Sequence, residues 1–263
     1  MTKKSFHILL DATVVNDKPT GVGRAVLELI VAISELNIDI KFTVAVSTQA
    51  PFSFLEEKDN WNIVEVKFST PRFFQRIFVT QLEVPLIAKK LDVDLVHFMT
   101  MPSSLWLHCP SVMTVMDVAF HRFPESVDYL RRIYYKSIMK QSIRTTDAII
   151  TISNSSAKEI GELYPSALPK TFVTMLGLPR WTRIGKVNPM RDKSAPLLFV
   201  GSLEPRKNLD RILDAYLRFR KRNPESDLPI LTIVGGRGWL DEKLVARILL
   251  LEKQQLVTWT RYC

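Results

Sequence analysis

Short apolar runs alternate with longer amphipathic stretches along most of the chain. Runs typical of buried strands occupy residues 6–10, 41–46, 63–67, 94–98, 112–116, 148–152 and 172–175. Apolar residues recur with helical spacing in 22–36, 82–90, 129–144 and 155–163. Strands that alternate with helices form parallel β-α-β units. The pattern therefore predicts an α/β fold with a doubly wound, Rossmann-like sheet.

A second series of the same kind begins near residue 196. It contains strand-like runs at 197–200, 230–234 and 256–260, a helix from Leu209 that Asn208 can cap, and a helix over 240–252. Prolines and charged residues without a period fill 179–195, which is typical of a linker. We therefore expect an N-terminal domain over 1–178, a linker over 179–195, and a partial C-terminal domain over 196–263. The last of these is about half the usual size of a doubly wound domain.

Composition narrows the function classes. Among 263 residues, 36 Lys and Arg face 27 Asp and Glu, so the formal net charge is +9 and favours anionic partners. No aromatic and basic pattern indicates a nucleic-acid module. The two cysteines, Cys109 and Cys263, are too few for a disulfide scaffold or a zinc cluster. No apolar stretch is long enough for a membrane span or a signal peptide, so we expect a cytoplasmic protein.

Two polar residues stand at strand ends where open parallel sheets bind ligands. Such sheets bind their ligands outside the carboxyl ends of the strands. His97 could donate a hydrogen bond to a substrate or act as a base, or it could be an ordinary half-buried strand histidine. Asp117 could orient a substrate hydroxyl or only cap a turn. Both residues are candidate catalytic residues.

A short glycine-rich segment, Gly21-Val22-Gly23, opens the first predicted helix. Small residues at a helix N-terminus let an anion approach the backbone N–H groups. A dinucleotide fingerprint would need a third glycine, but Val26 stands at that position. The segment is therefore either a site for an anionic group such as a phosphate or a turn without a ligand.

The segment 201–208 links a buried strand to a helix and places Arg206 and Lys207 beside the helix N-terminus. Cations there oppose the helix dipole, so they contribute little to stability, but they suit a diphosphate, which Ser202 would also contact. The alternative interpretation is solvated surface charge. Gly235 and Gly236 follow the next strand, where a ligand could approach the backbone.

Two further patterns bear on metals and membranes. The Asp92-Val93-Asp94 segment spells the paired carboxylates of metal-dependent sugar transferases, but it stands at the start of a strand, so we expect no metal site. One predicted helix carries a stripe of cations on the side opposite its apolar residues Leu130, Ile133, Tyr134 and Ile138. The stripe is either a contact for an anionic membrane surface or a solvated face, and it consists of Arg132, Lys136, Lys140 and Arg144.

Several segments together resemble the retaining glycosyltransferases of the two-domain B-type fold, and the mannosyltransferase-like members of family four most of all. The most specific are 198–208 (LFVGSLEPRKN) and 233–239 (IVGGRGW). Those of the first half are 10–12 (LDA), 20–24 (TGVGR), 123–125 (FPE), 129–132 (YLRR) and 152–156 (ISNSS).

The resemblance implies a function and roles for the candidate residues. It implies a nucleotide-sugar donor, for example GDP-mannose, and a saccharide or lipid-linked acceptor of cell-surface polysaccharide assembly. Arg206 and Lys207 would hold the donor diphosphate, and Gly21 to Gly23 would close over the diphosphate or the sugar. No metal or other cofactor is needed, because protein cations stabilise the departing nucleotide.

Two departures from the family pattern lead to an alternative. Met116 stands where the family usually has histidine, and a thioether cannot donate a hydrogen bond to the donor sugar. The family's paired glutamates belong to the second half of the second domain and have no counterpart here. The alternative is therefore an inactive relative, or a fragment that needs a partner chain to complete the donor domain.

Overall fold

The computed structural model describes residues 5–19, 21–48, 50–66, 72–122, 129–178, 195–224, 229–236 and 242–261. The described residues fall into two compact units, one up to residue 178 and one from residue 195. The expected linker, apart from Ala195, lies outside the described residues. The same holds for Thr20 and for the segments 123–125 and 237–239 of the resemblance.

The first unit contains a seven-stranded, fully parallel sheet with the order β3-β2-β1-β4-β5-β6-β7. Its strands are β1 (Phe6–Asp11), β2 (Ile40–Ser47), β3 (Trp61–Val66), β4 (Leu95–Phe98), β5 (Ser111–Thr114), β6 (Ala148–Thr151) and β7 (Thr171–Val173). This is the doubly wound order, which reverses between β1 and β4. The predicted strands are all present.

Among the described residues, six α-helices accompany this sheet: α1 (Gly21–Ser34), α2 (Arg72–Phe78), α3 (Val84–Lys90), α4 (Ala119–Arg122), α5 (Tyr129–Thr145) and α6 (Asn154–Leu163). One core contains Val26 and Ile30 of α1 together with Leu10 and Val44 of the sheet. A second core, on the other side of the sheet, contains Val84 of α3 and the buried residues packed around it. The β4–β5 connection over 99–110 contains no helix.

The helix before β4 differs from its prediction. It begins at Arg72 rather than near Leu82, and a π-helical turn over Val79–Glu83 joins α2 to α3. Pro85 lacks an N–H group, and its ring would crowd the carbonyl four residues earlier in a regular helix. The wider π turn suits this position and also brings Val79 and Val84, five residues apart, into the same core.

The second unit contains a three-stranded parallel sheet with the order β10-β9-β8. Its strands are β8 (Leu197–Val200), β9 (Leu231–Val234) and β10 (Val257–Thr260), and its helices are α7 (Leu209–Arg222) and α8 (Glu242–Lys253). The prediction that Asn208 caps α7 with its side chain is wrong. Asn208 has a left-handed backbone with φ 54° and makes no capping hydrogen bond, because it joins a 3₁₀ turn to the helix.

Candidate functional site

The carboxyl ends of the first sheet surround an apolar cavity of about 380 Å³. The first turns of α1 supply Gly21 and Arg24, and residues after β4 and β5 supply Met99 and Met116. The chain that follows β7, residues 174–178, completes the lining. The sequence pattern indicates Gly21 and Met116 but not the cavity, because the residues that line it come from five separate segments.

His97 lies on β4 and is 9% exposed. Its Nε2 shares a 2.8 Å hydrogen bond with Thr114 Oγ1 on β5. Burial lowers the pKa of His97 to about 4, so the ring is neutral at physiological pH and is a weak base. The structure therefore favours a buried strand histidine over a general base at this position.

Asp117 lies just after β5 and is exposed. Its Oδ1 accepts a 3.1 Å hydrogen bond from the N–H of Ala119, at the start of α4. The hydroxyl of Ser156 on α6 donates a 2.8 Å hydrogen bond to the carbonyl of Met116, the residue before Asp117, and so holds the backbone there in place. Asp117 thus caps a short helix and also presents a carboxylate to solvent at the carboxyl edge of the sheet.

The glycines at the start of α1 have different surroundings. A Cβ at Gly23 would lie 3.2 Å from Pro19 Cβ and 3.5 Å from the Val14 carbonyl oxygen, so close packing accounts for that glycine. A Cβ at Gly21 would meet nothing within 4 Å. Val22 between them is exposed. Gly21 therefore offers backbone that a ligand can approach at the positive end of the helix dipole.

In the second unit, two glycines meet at the carboxyl ends of β8 and β9. Gly201 and Gly235 have φ of 154° and 155°, which L side chains rarely adopt. A Cβ at Gly235 would lie 2.0 Å from the Gly201 carbonyl oxygen. Gly236 accepts a 3.1 Å hydrogen bond from the N–H of Leu203. The backbone of Gly201, Gly235 and Gly236 is closely packed here, and we call these three residues the glycine cradle.

Lys207 lies beside the glycine cradle. Its Cε would be 3.8 Å from a Cβ built on Gly201, so its exposed side chain runs along the end of β8. Arg206 precedes it in the 3₁₀ turn Pro205–Lys207, but its side chain lies outside the described part of the chain. This arrangement places at least one cation where a diphosphate could approach the backbone.

Ser202, predicted to contact the diphosphate, has a partner within its own loop. Its hydroxyl donates a 2.5 Å hydrogen bond to Glu204 Oε1, so its single proton is already used within the loop. A contact with a phosphate oxygen would require this hydroxyl to turn away from Glu204. Among the residues that the structure describes, no group of three or more His, Cys, Asp or Glu side chains could hold a metal ion.

In the Asp92-Val93-Asp94 segment, Asp94 makes a hydrogen bond between two strands of the sheet. Asp94 Oδ2 accepts a 2.8 Å hydrogen bond from the N–H of His7, and this bond joins the start of β4 to β1.

Within the described ranges, no helix is long and apolar enough to cross a membrane.

Comparison with known proteins gives a family and a fold. The sequence profile of Glycosyltransferase Family 4 matches residues 19–173. O-antigen chain mannosyltransferase B of Escherichia coli is 28% identical over 166 residues, which are 58% of this chain and 41% of that protein. The alignment thus spans about two fifths of the curated relative.

Among solved structures, WaaG, a glycosyltransferase involved in lipopolysaccharide biosynthesis, aligns with a TM-score of 0.64 and 15% identity, over 97% of this chain and 70% of that chain. HepE from Anabaena in complex with UDP-glucose aligns with a TM-score of 0.63 and 14% identity, over 98% and 69%. These neighbours confirm the predicted two-domain α/β fold. Since the family profile covers more than half of the sequence, the chain belongs to Glycosyltransferase Family 4.

Proposed function

We propose that this protein transfers a sugar from a nucleotide-sugar donor to a saccharide or lipid-linked acceptor in cell-surface polysaccharide assembly. The observation that carries the proposal is the glycine cradle with Lys207 beside it, in a chain of this family. The curated relative is an O-antigen chain mannosyltransferase, which supports mannose as the transferred sugar. The solved neighbour HepE binds UDP-glucose, so a uridine donor is the competing choice.

The cradle and its cation suit the diphosphate of the donor. The leaving nucleoside diphosphate gains negative charge as the sugar departs, and fixed cations stabilise that charge. We assign this role to Lys207 and, from its adjacent position in the 3₁₀ turn, to Arg206. Transfer would then need no metal ion. Retention of the anomeric configuration, by attack on the face from which the nucleotide departs, is part of the same proposal.

The first unit supplies the acceptor side in this proposal. Asp117 presents an exposed carboxylate at the carboxyl end of β5, where it can orient a sugar hydroxyl. Gly21 offers an unobstructed backbone to the sugar or the diphosphate. The cavity beside Gly21 is lined mainly by apolar side chains, which suits the apolar part of a lipid-linked acceptor. Peripheral contact with an anionic membrane through the cations of α5 belongs to the same proposal.

Calorimetry with GDP-mannose, UDP-glucose and UDP-galactose tests donor binding, and a transfer assay with each donor tests turnover. The double variant Arg206→Ala and Lys207→Ala should weaken donor binding by at least about 100-fold, since hydrogen bonds to charged groups contribute about 1.5–3 kcal/mol each. The matched control is Lys221→Ala and Arg222→Ala, an exposed Lys-Arg pair at the other end of α7, which should leave binding unchanged.

Two results would count against this function. Equal donor affinity in the Arg206 and Lys207 double variant and in the wild-type chain would remove the assigned diphosphate site. Absence of both binding and turnover with every donor, in a chain that circular dichroism shows to be folded, would reject transferase activity of this polypeptide on its own.

A second candidate function follows from the edge of the second sheet. Strand β8 lies at the edge of that sheet, and its Leu198 and Val200 side chains are 64% and 67% exposed. An apolar edge strand of this kind is a template for another strand. We infer a donor domain that works only after another polypeptide segment pairs with β8.

The native mass of the purified chain and the effect of Leu198→Ser with Val200→Ser test this alternative. If β8 pairs with another chain, the double substitution should raise solubility and prevent the association. Donor turnover by a monomer of the wild-type chain would exclude the need for a partner.

A further inference from the structure

The three strands of the second sheet end in register. Their last residues are paired across the sheet, and they are Val200, Val234 and Thr260. The next residues on β8 and β9 are Gly201 and Gly235 of the glycine cradle, and the next residue on β10 is Arg261. Because neighbouring strands lie about 4.8 Å apart, Arg261 stands roughly 10 Å from the end of β8, where Lys207 lies. The carboxyl edge therefore has a cation at each end and bare backbone between them.

Arg261 rests on the ring of Trp259. The carbon of its guanidinium lies 5.4 Å from the centre of the indole. The indole is itself fixed, since it is 7% exposed and donates its N–H to the Gly235 carbonyl at 2.9 Å. The backbone N–H of Trp259 also donates to Glu252 Oε1 at 2.9 Å. A cation held on a rigid ring loses less conformational freedom when it binds a ligand.

This stacking leaves the edge of the Arg261 guanidinium free. The five N–H donors of a guanidinium lie in its plane, so contact through its face uses none of them. Arg261 is exposed, and within the described part of the chain its side chain has neither a hydrogen bond nor an ion pair. Arg220 differs, because it stacks on Tyr216 and also donates to that hydroxyl at 3.0 Å. Packing therefore accounts for Arg220 but not for the free donors of Arg261.

Two parallel N–H donors fit a group that offers two adjacent acceptors. Guanine presents O6 and N7 side by side, whereas adenine presents N7 beside an amino donor. In uracil an N–H donor separates the two carbonyl oxygens, so the same pair of acceptors is missing. A phosphate also fits a guanidinium, but the proposed function places the diphosphate at Lys207, at the other end of the edge.

The backbone between these two cations is open to a ligand. A Cβ on Gly236 would lie 3.7 Å from the Arg261 carbonyl oxygen, so this glycine adjoins Arg261 and carries no side chain that could separate it from Lys207. A nucleoside diphosphate in an extended conformation separates its base from its phosphates by a comparable length. One nucleotide can therefore reach both cations.

We propose that Arg261 binds the base of the donor nucleotide and selects guanine, so that the donor is a GDP-sugar. This inference rests on the proposed function, which leaves guanosine and uridine donors as competing choices. The donor lies along the carboxyl edge of the second sheet, with its diphosphate at Lys207, its ribose over Gly236, and guanine O6 and N7 at the free donors of Arg261. Trp259 is a positioning residue that holds the guanidinium in place.

Calorimetry with free nucleoside diphosphates tests the proposal without any sugar, acceptor or turnover. The wild-type chain should bind GDP roughly 10- to 100-fold more tightly than UDP or ADP, as expected for two parallel hydrogen bonds to one base. A GDP analogue with a C–H group in place of N7, 7-deaza-GDP, keeps only one of the two acceptors and should bind about 10-fold more weakly than GDP. Inosine diphosphate keeps both acceptors and should bind like GDP.

Variants of Arg261 separate its two parallel donors from its charge. Arg261→Met keeps a long side chain over Trp259, so it should lower the GDP affinity to that for UDP and should bind GDP and 7-deaza-GDP equally. Arg261→Lys keeps the charge but not the parallel donors, and it should lose most of the preference as well. The matched control is Arg218→Met, an exposed arginine on α7, which should leave every affinity unchanged.

The outcomes distinguish this inference from the proposed function. The double variant of Arg206 and Lys207 should weaken all nucleoside diphosphates alike, because the diphosphate is common to them. Equal binding of GDP, UDP and ADP by the wild-type chain would overturn the role of Arg261 and leave the donor site in place. A preference for GDP that survives in Arg261→Met, or an equal loss for every nucleotide in that variant, would also overturn it. Absence of binding by every nucleotide, in a folded chain, would overturn both.

Discussion

The glycine cradle makes a sharp prediction for the variant Gly235→Ala. The backbone of Gly235 has φ 155°, and an added Cβ would lie 2.0 Å from the Gly201 carbonyl oxygen and 2.6 Å from its carbonyl carbon. The obstacle is backbone rather than the end of a flexible side chain. The Gly201 N–H is also held at 2.9 Å by the Val234 carbonyl, so the two strand ends cannot separate without loss of that hydrogen bond.

The free-energy cost of Gly235→Ala has two sources. A non-glycine residue in this region of φ costs about 1–3 kcal/mol. Overpacking a tight contact typically costs a further 1–3 kcal/mol. We therefore expect Gly235→Ala to destabilise the second unit by about 4 kcal/mol, which equals roughly a thousandfold change in its unfolding equilibrium. The Trp259 indole N–H donates to the Gly235 carbonyl at 2.9 Å, so the strain also reaches β10.

Hydrogen exchange measured by mass spectrometry is the suitable assay, because a chain of two units need not unfold in one step. Peptides from β8, β9 and β10 should lose protection in Gly235→Ala, while peptides from the first sheet serve as an internal reference. Gly236→Ala is the matched control, since its Cβ would lie 3.7 Å from the Arg261 carbonyl oxygen, an ordinary contact. Equal protection in both variants would refute this account of the cradle.

Three further changes have defined outcomes. The lowered pKa of His97 means that the unfolded chain binds more protons between pH 6.5 and about 4, so stability should fall by about 3 kcal/mol as the pH drops through that range. Urea unfolding at several pH values measures this fall, and His97→Gln should flatten it. Arg247→Ala should cost about 1 kcal/mol or less by thermal unfolding, because its partners Asp210 and Asp214 on α7 are largely exposed. Gly21→Ala should raise the melting temperature slightly, because alanine loses less entropy on folding and its Cβ meets no neighbour, and should weaken donor binding in calorimetry if the backbone there contacts the donor.

The sequence was sufficient to predict the sheet, because buried parallel strands produce apolar runs whatever covers them. Helix orientation was harder to predict. The burial of Met139 and Ile143 rather than Leu130 and Ile133 depends on where α5 meets its neighbours, and the residues of α5 carry only a weak amphipathic pattern. The π turn could not be predicted from the sequence either, because Pro85 is as compatible with the end of a helix as with a widened turn inside one.

The candidate site was predictable only in part for a similar reason. The rule that ligands bind at the carboxyl ends of strands located Lys207 and Gly235 from the chain order alone. The hydrogen bond from Ser202 to Glu204 and the burial of His97 depend on side-chain positions, which residue spacing does not determine. The apolar cavity was not visible because its lining is brought together only by the folded sheet.

The glycines of the proposed site separate what the fold requires from what a ligand would require. Packing explains Gly23 and Gly235, since a Cβ at either position meets a close neighbour. Packing does not explain Gly21 or Gly236, where an alanine would meet at most an ordinary contact and would reduce the entropy lost on folding. Each of the two glycines lies at the carboxyl edge of its own sheet, where open parallel sheets bind ligands. The same argument that assigns Gly235 to stability therefore leaves Gly21, in the first unit, and Gly236, in the second, as glycines that packing does not require.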